Sequence, residues 1–558
     1  MDKFTRLVSD PEFSNLTLEV ARFPKNLGGW EKLLNHLLAA VSPLNKSIDL
    51  KLYQLLVSTY ESLLIQFPYL ENYHVDFALI EYRLGHLDKV HRIFDHGLAI
   101  FNQKSLLLWI SYLKICNEIV PHHKQLLKKY EIAENHIGLH FFAGEFWQLY
   151  LEQVRQRCSH TQKYFSILRK VLEIPLYSFA TFYAMWLRCV EDVRDLSQLG
   201  RLASEDELFK KLKIEIHASG RRGPRLQEGK KALKKATREM YLVVQRQVLE
   251  IYDLYESKLN IRYYVSPETL IPASEIELWQ KYLTYTMNLK LDPLTHLNFQ
   301  RALLPLANYE IVWIQYARWL VDWQGDLLTA KNVLLQGVSL SSKKCKVLKL
   351  LYSILCSLGE FDQLQLIIKF VETAYLDNVG ETDDFELFWD YVQFKMFALR
   401  TPKDKPSRYE SSNLSTDSSS SSSTASPLLP KEVLDMIVER LSQCESKDGQ
   451  YLLLSSVLQL QHEGATSTIE NEIFHRFVKD NYSYYLDEGQ FWSLYCRLIF
   501  LDPARSYLEK RRYIVKVVWP QAVARHNKNQ ILPHLQEFCQ AYTPEDIDSL
   551  EDLFQSEV

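Results

Sequence analysis

The sequence predicts an all-α protein, a right-handed α-solenoid of stacked helical hairpins, and three observations carry that expectation. A tryptophan is followed three residues later by a tyrosine in WISYLK, WQLYLE, WQKYLT, WIQYAR and WSLYCR, which begin at Trp109, Trp147, Trp279, Trp313 and Trp492. A second apolar phrase recurs about one helix further on. Gly and Pro number only 17 and 19 among 558 residues, and alternating β-branched runs closed by Asn-Gly turns are missing.

With 32 tyrosines and 11 tryptophans in the chain, composition alone would give about 0.6 such pairs, so five are a repeat. Positions i and i+3 share a face of an α-helix, so Tyr112, Tyr150, Tyr282, Tyr316 and Tyr495 extend an aromatic stripe begun by their tryptophans. These ten positions are expected to carry the core of the fold rather than a ligand. Weaker copies are Phe388 and Tyr391 in FWDYVQF, and VDFALIEYRLG with Phe77, Ala78 and Glu81, where His74 takes the tryptophan place. The first unit departs from the pattern, Trp30 being followed by Leu33, and so do the stretches 178–187 and 338–372.

The second helix of each unit follows in register. Phe94 lies 17 residues after Phe77, Phe299 lies 17 after Tyr282, and Leu334 lies 18 after Tyr316. Three positions on, each carries a small residue (Gly97, Ala302, Gly337) where a large one would hold a neighbouring helix away. Turns are expected at Leu84-Gly85, Gly325-Asp326 and Leu358-Gly359, glycine suiting the left-handed cap that ends a helix. Units are spaced by 35 (His74 to Trp109), 38 (Trp109 to Trp147) and 34 residues (Trp279 to Trp313), near the period of tetratricopeptide-like hairpins. Such units bury their apolar faces only by stacking, and the stack leaves an extended surface for other macromolecules.

Lys and Arg total 65 against 69 Asp and Glu, a net charge of -4, which argues against a polycation that coats nucleic acid or membrane. No stretch approaches the roughly 18 apolar residues of a membrane span, and the opening MDKFTRLVSD lacks a secretory signal, so a soluble, intracellular protein without a membrane partner is expected. Eight scattered cysteines without a CxxC pair read as reduced, packed thiols.

Trp-x2-Tyr on the first helix, with an aromatic-acidic-basic-small-Leu pattern on the second, resembles the HAT (half-a-TPR) repeat of RNA-processing assemblies. The succession FPYLENYHVDFALIEYRLG (67–85), LEIPLYSFATFYAMWL (172–187), a charged helical insertion, then WQKYLTYTMNL and FQRALLPLANYEIVWIQYARWL (279–320), is similar to the pre-mRNA-processing factor 39/42 family of U1 small nuclear ribonucleoprotein subunits. The resemblance spans about residues 10–400 and 430–545. It implies a nuclear, non-catalytic splicing scaffold that pairs with a HAT-repeat paralogue, largely through C-terminal repeats. That pair would connect core U1 proteins, including the zinc-finger subunit, to auxiliary proteins for 5′ splice-site recognition. A HAT scaffold of another RNA-processing complex, for 3′-end cleavage or a later spliceosome stage, and a direct RNA-binding module are the alternatives.

The segment 210–238 holds eleven basic residues, Lys210, Lys211, Lys213, Arg221, Arg222, Arg225, Lys230, Lys231, Lys234, Lys235 and Arg238, against two acids, Glu215 and Glu228. It is a candidate contact for a partner protein or for RNA phosphates, a solvated helix face or an import signal being the bland reading. No aromatic residue interleaves with it, which weakens base stacking. A long helix from this segment to about Ile261 is expected. Serine dominates 401–430, which reads as a disordered linker. The organisation expected is a HAT array over 1–209, the basic segment and long helix over 210–265, a second array over 266–400, the linker over 401–430, and a C-terminal HAT dimerisation module over 431–558.

No GxxxxGK[ST] loop, GxGxxG turn, GxSxG elbow or HExxH helix occurs, so no catalytic residue, cofactor or metal is expected. His136 and His140, four apart, would share a helix face, but no Cys or carboxylate nearby completes a ligand set. His122 and His123, after Pro121, read as loop residues.

Overall fold

The structure is a computed structural model and describes residues 3–371, 388–396, 431–443 and 469–555, apart from positions 47, 159–160, 195–197, 200–201, 203–225, 389–390, 394 and 526. All regular elements among the described residues are helical. The Ser-rich stretch 401–430 lies outside the described residues. The chain divides into two compact units, 1–343 and 344–558, so the division falls inside the stretch assigned above to the second array.

In the first unit α1 (Lys3–Val8) and α2 (Pro11–Arg22) precede a run of helical hairpins. They are α3 (Leu27–Val41) with α4 (Leu50–Gln66), α5 (Glu71–Leu84) with α6 (Leu87–Ile100), and α7 (Leu106–Ile119) with α8 (His123–Ile137). Then come α9 (Gly144–Arg157) with α10 (Thr161–Val171), and α11 (Phe179–Asp192) with α12 (Leu226–Ile251). The last two are α13 (Ala273–Asn288) with α14 (Asp292–Leu306), and α15 (Glu310–Trp319) with α16 (Leu327–Leu340). Side chains of Asp10, Asn26, Asp49, Ser105 and Asp326 cap helix starts by accepting first-turn N–H groups. Gly85, Gly325 and Gly359 sit at φ 83°, 66° and 73°, the left-handed caps expected at the three turns.

The tryptophan of the repeat has a fixed place and a fixed bond. Trp30, Trp109, Trp147 and Trp313 are each the fourth residue of their helix. The indole N–H of Trp30, Trp109 and Trp313 donates to the carbonyl six residues earlier, on Pro24, Gln103 and Ala307, at 2.9, 2.8 and 2.8 Å. Trp147 reaches Gly138 O at 3.0 Å instead. His74, fourth in α5, reproduces the bond through Nε2 to Pro68 O at 3.1 Å, which is why a histidine can stand for a tryptophan there. The first unit is therefore regular in its tryptophan although it lacks the tyrosine.

The second position stacks on the hairpin before. Tyr60 of α4 faces Phe77 of α5 at 5.2 Å between ring centroids and 6° between planes. Phe94 of α6 meets Tyr112 of α7 at 5.0 Å, and Tyr130 of α8 meets Tyr150 of α9 at 5.0 Å. Phe299 of α14 meets Tyr316 of α15 at 4.5 Å and 13°. Each such pair is worth about 0.5–1.5 kcal/mol beyond the area it buries. The small residue on the second helix makes room for the pinned ring: a Cβ on Gly337 would lie 3.0 Å from Trp313 Cγ, and one on Gly97 would lie 3.2 Å from His74 Nδ1.

Helix α12 ends earlier than the sequence suggests. It passes into a π turn, Tyr252–Glu256, closed by Ser257 N–H on Tyr252 O at 2.9 Å, so it stops short of Ile261. The turn presents Tyr255 to Tyr282 of α13 at 4.7 Å and 8°, and its buried Glu256 accepts from Tyr282 Oη at 3.0 Å and from Arg301 at 2.8 Å.

The second unit contains α17 (Cys345–Leu358), α18 (Phe361–Val371), α19 (Lys431–Gln443) and a π turn Glu470–His475 that leads into α20 (Arg476–Asp480). Beyond these lie α21 (Ser483–Leu486), α22 (Gly489–Leu501), α23 (Tyr507–Tyr513), α24 (Trp519–Val523), α25 (Lys528–Tyr542) and α26 (Ile547–Gln555). Trp492, fourth in α22, donates to Leu486 O at 2.8 Å, and Tyr495 stacks on Phe474 at 4.7 Å and 10°. Phe388 and Tyr391 of the weaker copy are both buried. Helices α22 and α25 lie so close that a Cβ on Gly489 would come within 2.7 Å of Gln530 O. The seven described cysteines are free thiols, and Cys444 lies outside the described residues. No helix among the described residues is long and apolar enough to cross a membrane.

Two expectations follow from the seam. Gly337→Ala gains about 1 kcal/mol of helix propensity yet lowers stability by about 1–2 kcal/mol, because the rigid Trp313 ring cannot retreat; urea denaturation checks the sign. Burial pushes the His74 pKa down from 6.5 to about 4, so the folded chain keeps a neutral ring where the unfolded chain takes up a proton. This contribution is present in full above pH 6.5 and is lost, by about 3 kcal/mol, as pH falls to about 4. Comparing denaturation at pH 7 and pH 4 in the parent and in His74→Trp isolates it, the variant losing less.

Candidate interaction surface

The basic segment is only partly in view: Lys210, Lys211, Lys213, Arg221, Arg222 and Arg225 lie outside the described residues. Lys230, Lys231, Lys234, Lys235 and Arg238 fall on α12, which is held to α11 by the Tyr241 ring, 4.2 Å from Tyr183 and 5.2 Å from Phe179. Two of these lysines are already engaged. Lys230 Nζ donates to Glu191 O at 2.7 Å and Lys234 Nζ to Glu191 Oε1 at 2.8 Å, placing cations at the carbonyl end of α11. The Lys234 ammonium lowers the pKa of the Glu191 carboxyl. Lys231, Lys235 and Arg238 stay exposed, and helical spacing continues their stripe into Leu242 and Leu249, also exposed.

Inside the first unit, hairpins far apart in sequence meet. Tyr69, between α4 and α5, lies 6.2 Å from Trp313 and 6.4 Å from Tyr264. The guanidinium of Arg262 sits 4.9 Å from the Phe142 ring, and that of Arg301 sits 6.0 Å from it and 5.8 Å from Trp279. Arg301 also donates to Asn298 Oδ1 at 3.0 Å, so its charge is held by Glu256, an amide and three rings. Glu81 is a comparable buried acid, accepting from Tyr53 Oη at 2.7 Å and lying 2.6 Å from His86 Nδ1.

Trp279 breaks the tryptophan rule. Helix α13 starts at Ala273, so Trp279 is its seventh residue rather than its fourth, and the residue six back is already helical. The carbonyl that serves the other repeats is thereby withdrawn, and the Trp279 N–H, in a side chain that is almost wholly buried, has no hydrogen-bond partner. Glu275 in the added turn accepts Asn260 N–H and Ile261 N–H, at 2.9 and 2.6 Å.

The histidine pair does not form a face. Helix α8 ends at Ile137; His136 stacks at 6.5 Å on Trp109, whereas His140 lies beyond the helix with Nδ1 accepting from Phe142 N–H at 3.0 Å. His123 begins α8 rather than lying in the loop, and His122 is its cap residue. Among the described residues, one group could converge on a cation, Asp10, Glu12 and His36, with ligand atoms within 4.8 Å; its chemistry is accounted for by an Asp10–His36 pair at 2.9 Å and the Asp10 helix cap. Sequence reasoning overlooked His91 and His296, each three residues before the stacked Phe94 or Phe299, whose Nδ1 atoms meet Tyr112 and Tyr316 Oη at 3.0 and 2.9 Å. The repeated His-x2-Phe spacing was the available signal.

Two family models match this chain, the PRP39 N-terminal HAT repeat over residues 14–188 and the PRP39 C-terminal HAT repeat over residues 252–382. The chain is 53% identical over 557 residues to the U1 small nuclear ribonucleoprotein component PRP42 of Saccharomyces cerevisiae, covering 100% of both chains. It is 20% identical over 343 residues to pre-mRNA-processing factor 39 of Schizosaccharomyces pombe, spanning 60% of this chain and 55% of that one. To pre-mRNA-processing factor 39 of Saccharomyces cerevisiae it is 24% identical over 300 residues, 52% of this chain and 38% of the other.

The tryptophan tether predicts an asymmetry. Trp313→Phe strands the Ala307 carbonyl and costs about 1–2 kcal/mol more than Trp279→Phe, which removes a donor that has no acceptor; paired thermal and urea melts measure the difference.

Proposed function

The chain belongs to the PRP39 HAT-repeat family, and from that membership we propose that it is a non-catalytic scaffold subunit of the U1 small nuclear ribonucleoprotein in pre-mRNA splicing. The observation that carries this reading is the 53% identity to a U1 component over 557 residues. The role is to bridge core U1 proteins, the zinc-finger subunit among them, to auxiliary proteins that assist 5′ splice-site recognition. It works in the nucleus, paired with a HAT-repeat paralogue largely through C-terminal repeats, and the tryptophans Trp109, Trp147, Trp279, Trp313 and Trp492 are buried in hairpin packing.

The basic stripe of α12 is proposed as a protein contact. Its exposed cations run into exposed Leu242 and Leu249, and Lys230 and Lys234 are already engaged with Glu191, which favours an acidic, partly apolar partner over a phosphate backbone. Affinity purification of the tagged chain from nuclear extract at moderate salt tests the whole reading. U1 RNA and a larger HAT paralogue in equal amount are expected, and Lys231→Glu with Lys235→Glu and Arg238→Glu should reduce one bound protein at least five-fold without loss of the paralogue. Recovery of 3′-end cleavage factors without U1 RNA would overturn the assignment.

A further inference from the structure

Helices α4 and α6 both pack on α5, and between them lies an open groove of about 570 Å³, a volume in the range of built binding clefts. Leu64 and Phe77, both buried, lie at its base, the Phe77 ring being already stacked on Tyr60. One rim carries Glu61, Ile65 and Pro68, and the other carries Arg92, Ile93, His96 and Ile100 of α6. From Arg92 to Ile100 that rim runs about 12 Å, a little over two helical turns.

The rims are left without partners. Ile65 stands 76% exposed, and with Pro68, Ile93 and Ile100 it makes an apolar surface that opens to solvent. Glu61 and Arg92 are exposed on opposite rims, and neither makes an ion pair among the described residues. Lys89, three residues before Arg92, is by contrast taken, its ammonium donating to Tyr53 Oη and lying 4.8 Å from the centre of that ring. The groove thus offers a carboxylate on one side, a guanidinium on the other and an aliphatic trough between them.

That combination selects its occupant. The backbones of α4 and α6 are hydrogen-bonded within their own helices, so an extended segment laid between them would find no partners for its N–H and C=O groups, whereas a helix brings its own. RNA suits the groove poorly, because no exposed Phe, Tyr or Trp lines it to stack a base and Glu61 would repel the phosphates. We propose that this groove docks an amphipathic helix of a partner protein, with aliphatic side chains at i, i+4 and i+7 in the trough, a basic flank against Glu61 and an acidic flank against Arg92. Opposite charges on the two rims also set the direction of that helix, since turning it end for end exchanges its flanks. The groove shares no residue with the α12 stripe, and the proposal rests on the scaffold reading only in requiring a partner protein.

The test follows fluorescence anisotropy of labelled peptides titrated with the full chain. The mixed-flank probe is two repeats of Leu-Ala-Ala-Leu-Lys-Ala-Glu closed by Leu; an acidic form has Glu for each Lys and a basic form has Lys for each Glu. Saturable binding of the mixed peptide is expected, and it should be lost in Ile65→Asn. Arg92→Glu makes both rims acidic, so it should weaken the mixed peptide about five-fold and tighten the basic one as much; Glu61→Lys should do the same in favour of the acidic peptide. The double reversal should restore the mixed peptide, lying the other way. All three positions are exposed, and melting temperatures should not move; where one variant melts early, the other reversal and the unmodified chain decide. No saturable binding of the mixed peptide, binding that survives Ile65→Asn, single reversals that leave the peptide preference unchanged, or displacement of the peptide by oligouridylate would overturn the proposal. Recovery of U1 RNA is not among these readouts, so this proposal and the splicing assignment fail separately.

Discussion

Everything else in the first unit depends on holding an aromatic ring at the start of each hairpin's first helix. Around Trp313 the ring is fixed twice, by a hydrogen bond to its own loop and by the near-absence of a side chain on the helix that packs over it, through Ala307 O and Gly337. One turn further along, the tyrosine passes that order forward by stacking on the hairpin before. A hairpin of this size buries too little apolar surface to be stable alone, so the ring stack is where its neighbours stabilise it.

The same seam shows how buried charge is tolerated. Glu256 and Glu470 both lie in π turns, and both meet an arginine from later in the chain, Arg301 at 2.8 Å and Arg505 at 2.6 Å. Each π turn also supplies the ring, Tyr255 or Phe474, on which the next hairpin's tyrosine stacks. Such pairs contribute little net stability once desolvation is counted, and their use is in fixing geometry. The extra residue of a π turn lets one short stretch offer a carboxylate and an aromatic ring to the same neighbour.

Much of this was legible beforehand, because a spacing of three and a spacing of 17 or 18 are properties of a string. The tryptophans, the tyrosines, the small residues and the three glycine caps could be placed without coordinates. His74 could be aligned with the tryptophans, but that it would make their hydrogen bond depends on where Pro68 O points. The failures are equally physical. His136 and His140 are four apart, yet a helix end falls between them, and the boundary of a helix is set by its tertiary surroundings. The end of α12 was misjudged because a π turn has no composition of its own. A cavity walled by residues as distant as Glu71 and Arg301 was invisible in the string, and so was the unpaired Trp279 N–H, which is a fact about neighbours.

The six-residue tether between each tryptophan and its loop has a consequence for how such a protein can lengthen over time. Residues added between Pro24 and Trp30, or between Ala307 and Trp313, would break the bond that sets the ring, so those short spans are closed to growth. Residues added upstream of the accepting carbonyl leave the bond intact. Trp279, the first repeat tryptophan after the charged segment, makes no such bond and so sets no such limit on the residues before it. An array of this kind accepts new sequence between hairpins rather than inside the tether.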